Sequence, residues 1–158
     1  MRPPALAQCM NNEGRLYSCD VAINRLQLIF HSLERCHITN TIVTRQDAAQ
    51  HNPELCEADR VLCDVPCSGL GIIRRKPEIK YKEYSMEMER LPKKQLAILS
   101  ASSSYVKPGG TLLYSTCTVN PEENEEVVEA FLRKNPSFEK KEKLLLLPQV
   151  DGTDGFFI

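Results

Sequence analysis

Two cysteines stand in surroundings that invite chemistry. Cys67 sits in the run DVPCSG, residues 64–69, and Cys117 in STCT, residues 115–118. A thiolate is a strong nucleophile that can bond covalently to an electron-poor carbon and leave again, splitting one hard step into two easier ones. Three acids, Asp20, Asp47 and Asp64, share with these thiols a position just beyond a short apolar run. A carboxylate accepts two hydrogen bonds at once, which lets it hold a polar ligand in a fixed pose. Taken singly, a cysteine is most often a small buried hydrophobe and an acid after a strand most often a cap, so the constellation carries more weight than any member.

Such a set needs a scaffold that brings distant residues to one edge. Segments 15–19, 41–44, 60–63 and 111–115 read as short strands, and they end next to Asp20, Asp47, Asp64 with Cys67, and Cys117. Helical patterns separate them. A short one covers 5–10, and 22–36 carries Ile23, Leu26, Ile29, Phe30 and Leu33 three or four apart, which predicts one buried face. A third covers 91–106, ended by Pro108, Gly109 and Gly110. The fourth runs from Pro121 to 134, with acids at its start and Arg133 and Lys134 at its end, matching the helix dipole. The tail from 138 reads as a strand, a loop with Pro148, and a last apolar strand. This alternation predicts an α/β fold with a mostly parallel sheet covered by helices on both faces, whose ligand crevice lies at the carboxyl ends of the strands.

Composition narrows the partners. The 158 residues hold 20 Lys plus Arg against 21 Asp plus Glu, which excludes nucleic-acid binding through a wholly basic body and fits one domain over residues 1–158. A 42% apolar content without a run near the ~20 residues of a spanning helix predicts a soluble, core-forming chain. Seven scattered cysteines do not form the dense framework of a secreted scaffold, so a reducing cytoplasm is expected. The start MRPPALAQ lacks the apolar core of a signal peptide. Locally the charge is uneven: Arg74, Arg75, Lys76, Lys80 and Lys82, with Tyr81 and Tyr84, form a basic stretch beside Cys67 suited to single-stranded RNA. The acids at 122–129 read as a solvated helix start with no metal implied.

The run DVPCSG followed by GLGIIRRKPEIKY, the later YSTCTVNPEENEEVVEAFL and the closing DGTDGFFI resemble the Sun/Fmu family of RNA cytosine-C5 methyltransferases, and within it the bacterial 16S ribosomal RNA branch. The resemblance runs from Gln8 to Ile158. It implies a Rossmann-like fold dependent on S-adenosylmethionine, and a chemistry in which a thiolate adds to carbon 6 of cytosine so that carbon 5 becomes nucleophilic. By this resemblance Cys117 is the nucleophile and Cys67 the cysteine that resolves the adduct. Asp64 faces the cytosine ring and also borders the cofactor. Asp20 receives the ribose hydroxyls and Asp47 lies near the adenine amino group, with Arg74, Arg75 and Lys76 toward RNA. Because DNA cytosine methyltransferases place their nucleophile after a proline, Cys67 remains the rival nucleophile.

The resemblance breaks at one place. The family's glycine-rich cofactor loop and first strand should precede the first helix, yet no glycine precedes Gly14. A truncated catalytic domain lacking a central strand is expected, with an exposed sheet edge that favours a homodimer. A non-catalytic RNA-binding or interaction fragment of the same fold is the alternative. A phosphatase loop is excluded because Cys67 and Arg74 are separated by six residues rather than five, and Cys56, Cys63 and Cys67 lack the paired Cys-x-x-Cys units of a zinc module.

Overall fold

A computed structural model describes residues 3–55, 57–81 and 86–158, without the side chains of 86–88. The chain divides into two compact units, Met1–Asn52 and Pro53–Ile158.

The first unit holds helix α1 (Pro3–Cys9), strand β1 (Leu16–Asp20), helix α2 (Ile23–Arg35) and strand β2 (Thr41–Arg45). β1 and β2 pair in parallel, Leu16 opposite Thr41 and Asp20 opposite Arg45. One residue pins this register. Asn12, in the left-handed region that asparagine tolerates, accepts the backbone N–H groups of Thr39 and Asn40 at 3.0 and 3.2 Å and donates to the Thr39 hydroxyl at 3.0 Å. The approach to β1 is thereby tied to the approach to β2. Along α2 the buried face is narrower than its spacing predicts. Leu26 and Leu33 are buried and Ile29 half-buried, whereas Ile23 and Phe30 are exposed at the rim of the stripe.

In the second unit β3 (Ala58–Asp64) and β4 (Val106–Ser115) form another parallel pair, followed by helix α4 (Glu125–Lys134) and a small antiparallel pair of β5 (Leu145–Leu146) and β6 (Phe156–Phe157), joined by the short helix α5 (Pro148–Asp151). Between β3 and β4 runs helix α3 (Met86–Ser103). Ile98 and Leu99 of α3, Val127 and Phe131 of α4, and Tyr114 and Phe157 form the apolar core. Tyr114 meets Phe157 edge-on, ring centroids 6.3 Å apart. The alternation of α and β with parallel pairing is the Rossmann-like pattern.

Three boundaries differ from the sequence reading. Helix α3 starts before position 91 and takes Pro92 into its body, and it stops at Ser103 rather than 106. Val106 instead opens β4 by pairing with Ala58, and the Pro108-Gly109-Gly110 run is a bulge inside the strand, where the register jumps from Ala58↔Val106 to Arg60↔Thr111. Gly109 has φ +77, and a side chain on Gly110 would press on Val106 and Asp59, so both glycines serve the bulge. The predicted helix from Pro121 is broken: a 3-10 turn over Pro121–Glu123 precedes Asn124, whose backbone is non-helical, before α4 begins.

Candidate active site

β3 and β4 run in parallel with Asp64 opposite Ser115, so the loops after them leave the same edge. That places DVPCSG beside STCT. The sulfurs of Cys67 and Cys117 lie 3.1 Å apart, and the Cys117 backbone N–H donates to Cys67 Sγ at 3.3 Å. Both are half-buried. The hydrogen bond from the Cys67 thiol holds Cys117 down to about 7, against desolvation and the charge of Asp64 and aided by Lys76. The same bond, with burial, pushes Cys67 well above the usual thiol range. The pair is thus polarised, with the proton favoured on Cys67 and the thiolate favoured on Cys117. Cys63, one residue before Asp64, makes the contrast: burial pushes it up to about 11 and leaves an inert thiol.

Asp64 is exposed at the strand end, with the Ser115 hydroxyl 3.5 Å from its Oδ1. Beyond Cys67 the chain turns through Gly69 (φ +77) into two 3-10 turns, Leu70–Ile72 and Pro77–Tyr81. Gly71 is wedged: its N–H donates to the Cys117 carbonyl at 3.0 Å, its carbonyl accepts from Gly155 N–H at 2.8 Å, and a Cβ there would run into the Gly155 carbonyl. Arg74, Arg75 and Lys76 follow and are exposed. Arg75 Nε pairs with Asp154 Oδ2 at 2.6 Å, an acid that is itself buried, so Arg75 also fastens this loop to the tail. Lys80 and Tyr81 are exposed; Lys82 and Tyr84 lie outside the described residues.

Asp20 and Asp47 belong to the first unit. Asp20 Oδ1 accepts the Ala22 N–H at 2.9 Å and Oδ2 pairs with Arg25 at 3.3 Å, while Asp47 Oδ1 accepts the Ala49 N–H at 3.0 Å. Both therefore make local turns. Asp20 also borders a hollow of about 340 Å³ together with Pro3, Pro4, Arg25 and Leu28. Arg25 touches this acid while its side chain stays exposed. Among the described residues no group of three potential metal ligands forms, and Cys56 of the zinc reading lies outside them.

The sequence reading missed the residues that hold the thiol loops. Glu123 was expected on a solvated helix start; it is 2% exposed and accepts the Ser68 N–H at 2.9 Å. Gln95 and Asn124 are equally buried. The Asn120-x-x-Glu123 spacing of a capping box was the available signal, since it turns the fourth residue back toward the turn.

Two thiols thus meet at the adjacent ends of two parallel strands in an α/β unit. The chain belongs to the family described as 16S rRNA methyltransferase RsmB/F, whose profile matches residues 3–158. It is 38% identical to the Bacillus subtilis (strain 168) protein named "Probable ribosomal RNA small subunit methyltransferase B", covering 97% of this chain and 38% of that protein. It is 31% identical to ribosomal RNA small subunit methyltransferase F of Erwinia tasmaniensis, over 97% of this chain and 36% of that one. Among solved structures, NSun6 from Pyrococcus horikoshii with SFG superposes with a TM-score of 0.83 at 29% identity, over 96% of this chain and 42% of that chain. The chain thus spans less than two fifths of the length of these curated relatives.

Proposed function

We propose that this chain carries the covalent half of an RNA (cytosine-C5) methyltransferase site acting on ribosomal RNA, with 16S rRNA as the substrate. The carrying observation is the 3.1 Å thiol pair in which Cys117 is held near neutrality. The Cys117 thiolate adds to carbon 6 of cytosine, and the electron pair of the ring's 5,6 bond moves toward carbon 5. Asp64, a carboxyl hydrogen-bonded to ring nitrogen 3, favours that flow. After methylation and loss of the carbon 5 proton to a base, Cys67 assists expulsion of the Cys117 thiolate. Arg74, Arg75 and Lys76 bind RNA phosphates.

S-adenosylmethionine, when bound, supplies the methyl group. Asp20 fits its ribose: among the described residues each carboxylate oxygen makes one contact, and the acid borders a hollow. Asp47 is assigned to the adenine end and Asp64 to the border of the cofactor. The neighbour solved with SFG, an S-adenosylmethionine analogue, supports this cofactor class. No described helix is long and apolar enough to cross a membrane. Six cysteines are free thiols, which supports a reducing, cytoplasmic setting. Among the described residues the parallel ladders have two strands each, and their outer edges support a homodimer, readable as a sedimentation mass of two chains.

The test is trapping on RNA carrying 5-fluorocytosine in the presence of S-adenosylmethionine. The fluorine cannot leave as a proton does, so the adduct survives denaturation. Wild type is expected to form it, Cys117→Ala to lose it, and Cys67→Ala to accumulate it on ordinary RNA. The reverse pattern makes Cys67 the nucleophile. Absence of any adduct, with RNA still bound, favours the interaction-fragment reading.

A further inference from the structure

Each thiol is gripped on both sides. On either side of Cys67, the Pro66 carbonyl accepts from Gln95 Nε2 at 2.9 Å and the Ser68 N–H donates to Glu123 Oε2 at 2.9 Å; Gln95 Nε2 also donates to that same oxygen at 3.0 Å. On either side of Cys117, the Thr116 hydroxyl donates to Asn124 Oδ1 at 2.6 Å and Asn124 Nδ2 donates to the Thr118 carbonyl at 3.0 Å. The two loops are cross-linked once more by Ser68 Oγ and Thr118 Oγ1, 2.8 Å apart. Gln95, Glu123 and Asn124 are all essentially sealed from water, with relative exposures of 0%, 2% and 1%. A buried carboxyl group is costly unless its hydrogen bonds are made, and Glu123 makes them to the groups that flank Cys67.

Glu123 and Asn124 are consecutive. Asn124 breaks the path between the 3-10 turn and α4, and the Tyr114 hydroxyl donates to the Glu123 carbonyl at 2.6 Å, fixing that break to β4. One dipeptide, anchored to the core, thus holds one loop with its first side chain and the other loop with its second.

We infer that Glu123 and Asn124, with Gln95, are positioning residues that set the distance between the two thiols: Glu123 and Gln95 place Cys67, and Asn124 places Cys117. The peptide bond joining the gripping residues then fixes the sulfur separation as a backbone dimension rather than as a chance of two independent loops. This rests on the reading of Cys117 and Cys67 as nucleophile and resolving cysteine, but its consequence is visible without RNA or cofactor.

The experiment is alkylation of the full chain by iodoacetamide across pH, with modification of the Cys117 peptide followed by mass spectrometry. A thiol reacts as thiolate, so the rate rises through the pKa of Cys117, about 7 in wild type. Cys67→Ala is expected to move the midpoint upward, toward the ordinary thiol value of about 8.5. Glu123→Ala should move it in the same direction, because the Ser68 N–H and Gln95 lose their acceptor and Cys67 leaves its station. Glu123→Gln retains an acceptor oxygen and should keep the wild-type midpoint. Glu123→Ala placed on Cys67→Ala should add nothing, since the carboxylate acts only through Cys67. A merely structural role would lower the melting temperature of Glu123→Ala and leave the midpoint in place, which overturns the inference; so does an additive shift in the double variant. If Glu123→Ala does not fold, Asn124→Leu decides: uncharged and of similar size, it loses both the acceptor of Thr116 and the donor to Thr118 and is expected to raise the midpoint, and an unmoved midpoint overturns the inference. A moved midpoint without RNA trapping removes the methyltransferase reading and leaves the positioning role standing, whereas trapping with an unmoved midpoint does the opposite.

Discussion

The ends of β1 and β2 and the ends of β3 and β4 present the same motif, an acid or thiol at the carboxyl end of a parallel strand, yet they are built differently. Asp20 and Asp47 each bind a backbone N–H two residues on. The thiol loops are instead held by side chains and backbone groups far away in sequence: Cys67 by Cys117, Ser68 by Glu123, Pro66 by Gln95, Gly71 by Gly155. A turn that satisfies itself locally leaves its carboxylate free to meet a ligand. A loop satisfied at long range is fixed as a solid object, which is what a covalent step between defined atoms needs.

This contrast can be broken at its most crowded point. Gly71→Ala is expected to cost about 3 kcal/mol by overpacking against Gly155 and the Cys117 carbonyl, whereas Gly152→Ala, with φ +67 and open space around it, should cost about 1 kcal/mol of backbone strain. Equal losses in urea denaturation would mean that the thiol loop yields as easily as a surface turn. At the first unit the expected stability effect is smaller and the ligand effect larger. Asp20→Ala should lower stability by at most about 1 kcal/mol while weakening S-adenosylmethionine binding by roughly 10- to 100-fold, the value of hydrogen bonds to a charged group. Calorimetric titration that finds unchanged affinity removes Asp20 from the cofactor site. The smallest effect sharpens the comparison within the basic stretch. Arg74→Ala should lower the salt slope of RNA binding by about 0.7 without touching the melting temperature. Arg75→Ala should lower both, because its Nε is also tied to buried Asp154.

How far the sequence was legible follows the same division. β2 could be read from its β-branched run, β3 from a short apolar run, β1 from the turn residues before it, and α4 from its charge pattern, because each depends on neighbours along the chain. Cys67 and Cys117 could be singled out by their flanking residues. Three features could not be read. Val106 belongs to a strand only because Ala58 lies opposite it, and the Pro-Gly-Gly that follows resembles a helix stop until that pairing is seen. Ile23 and Phe30 fit the apolar spacing of α2 but sit where the covered stripe ends. Glu123 lies among four neighbouring glutamates, Glu122, Glu125, Glu126 and Glu129, and its burial is decided by Ser68 and Gln95 from two other parts of the unit. In each case the deciding partner is remote.

The wedge of Gly71 against Gly155 also sets an order of events during synthesis. A nascent chain that has emerged only as far as α4 already contains both cysteines and Glu123, but it has neither the Gly155 N–H that Gly71 awaits nor Phe157, which exchanges two backbone hydrogen bonds with Thr116 beside Cys117. Its two thiol loops are unfinished. Gly155 and Phe157 therefore complete both thiol loops only after the cysteines themselves have emerged, and Cys117 acquires its folded surroundings once those residues have joined it.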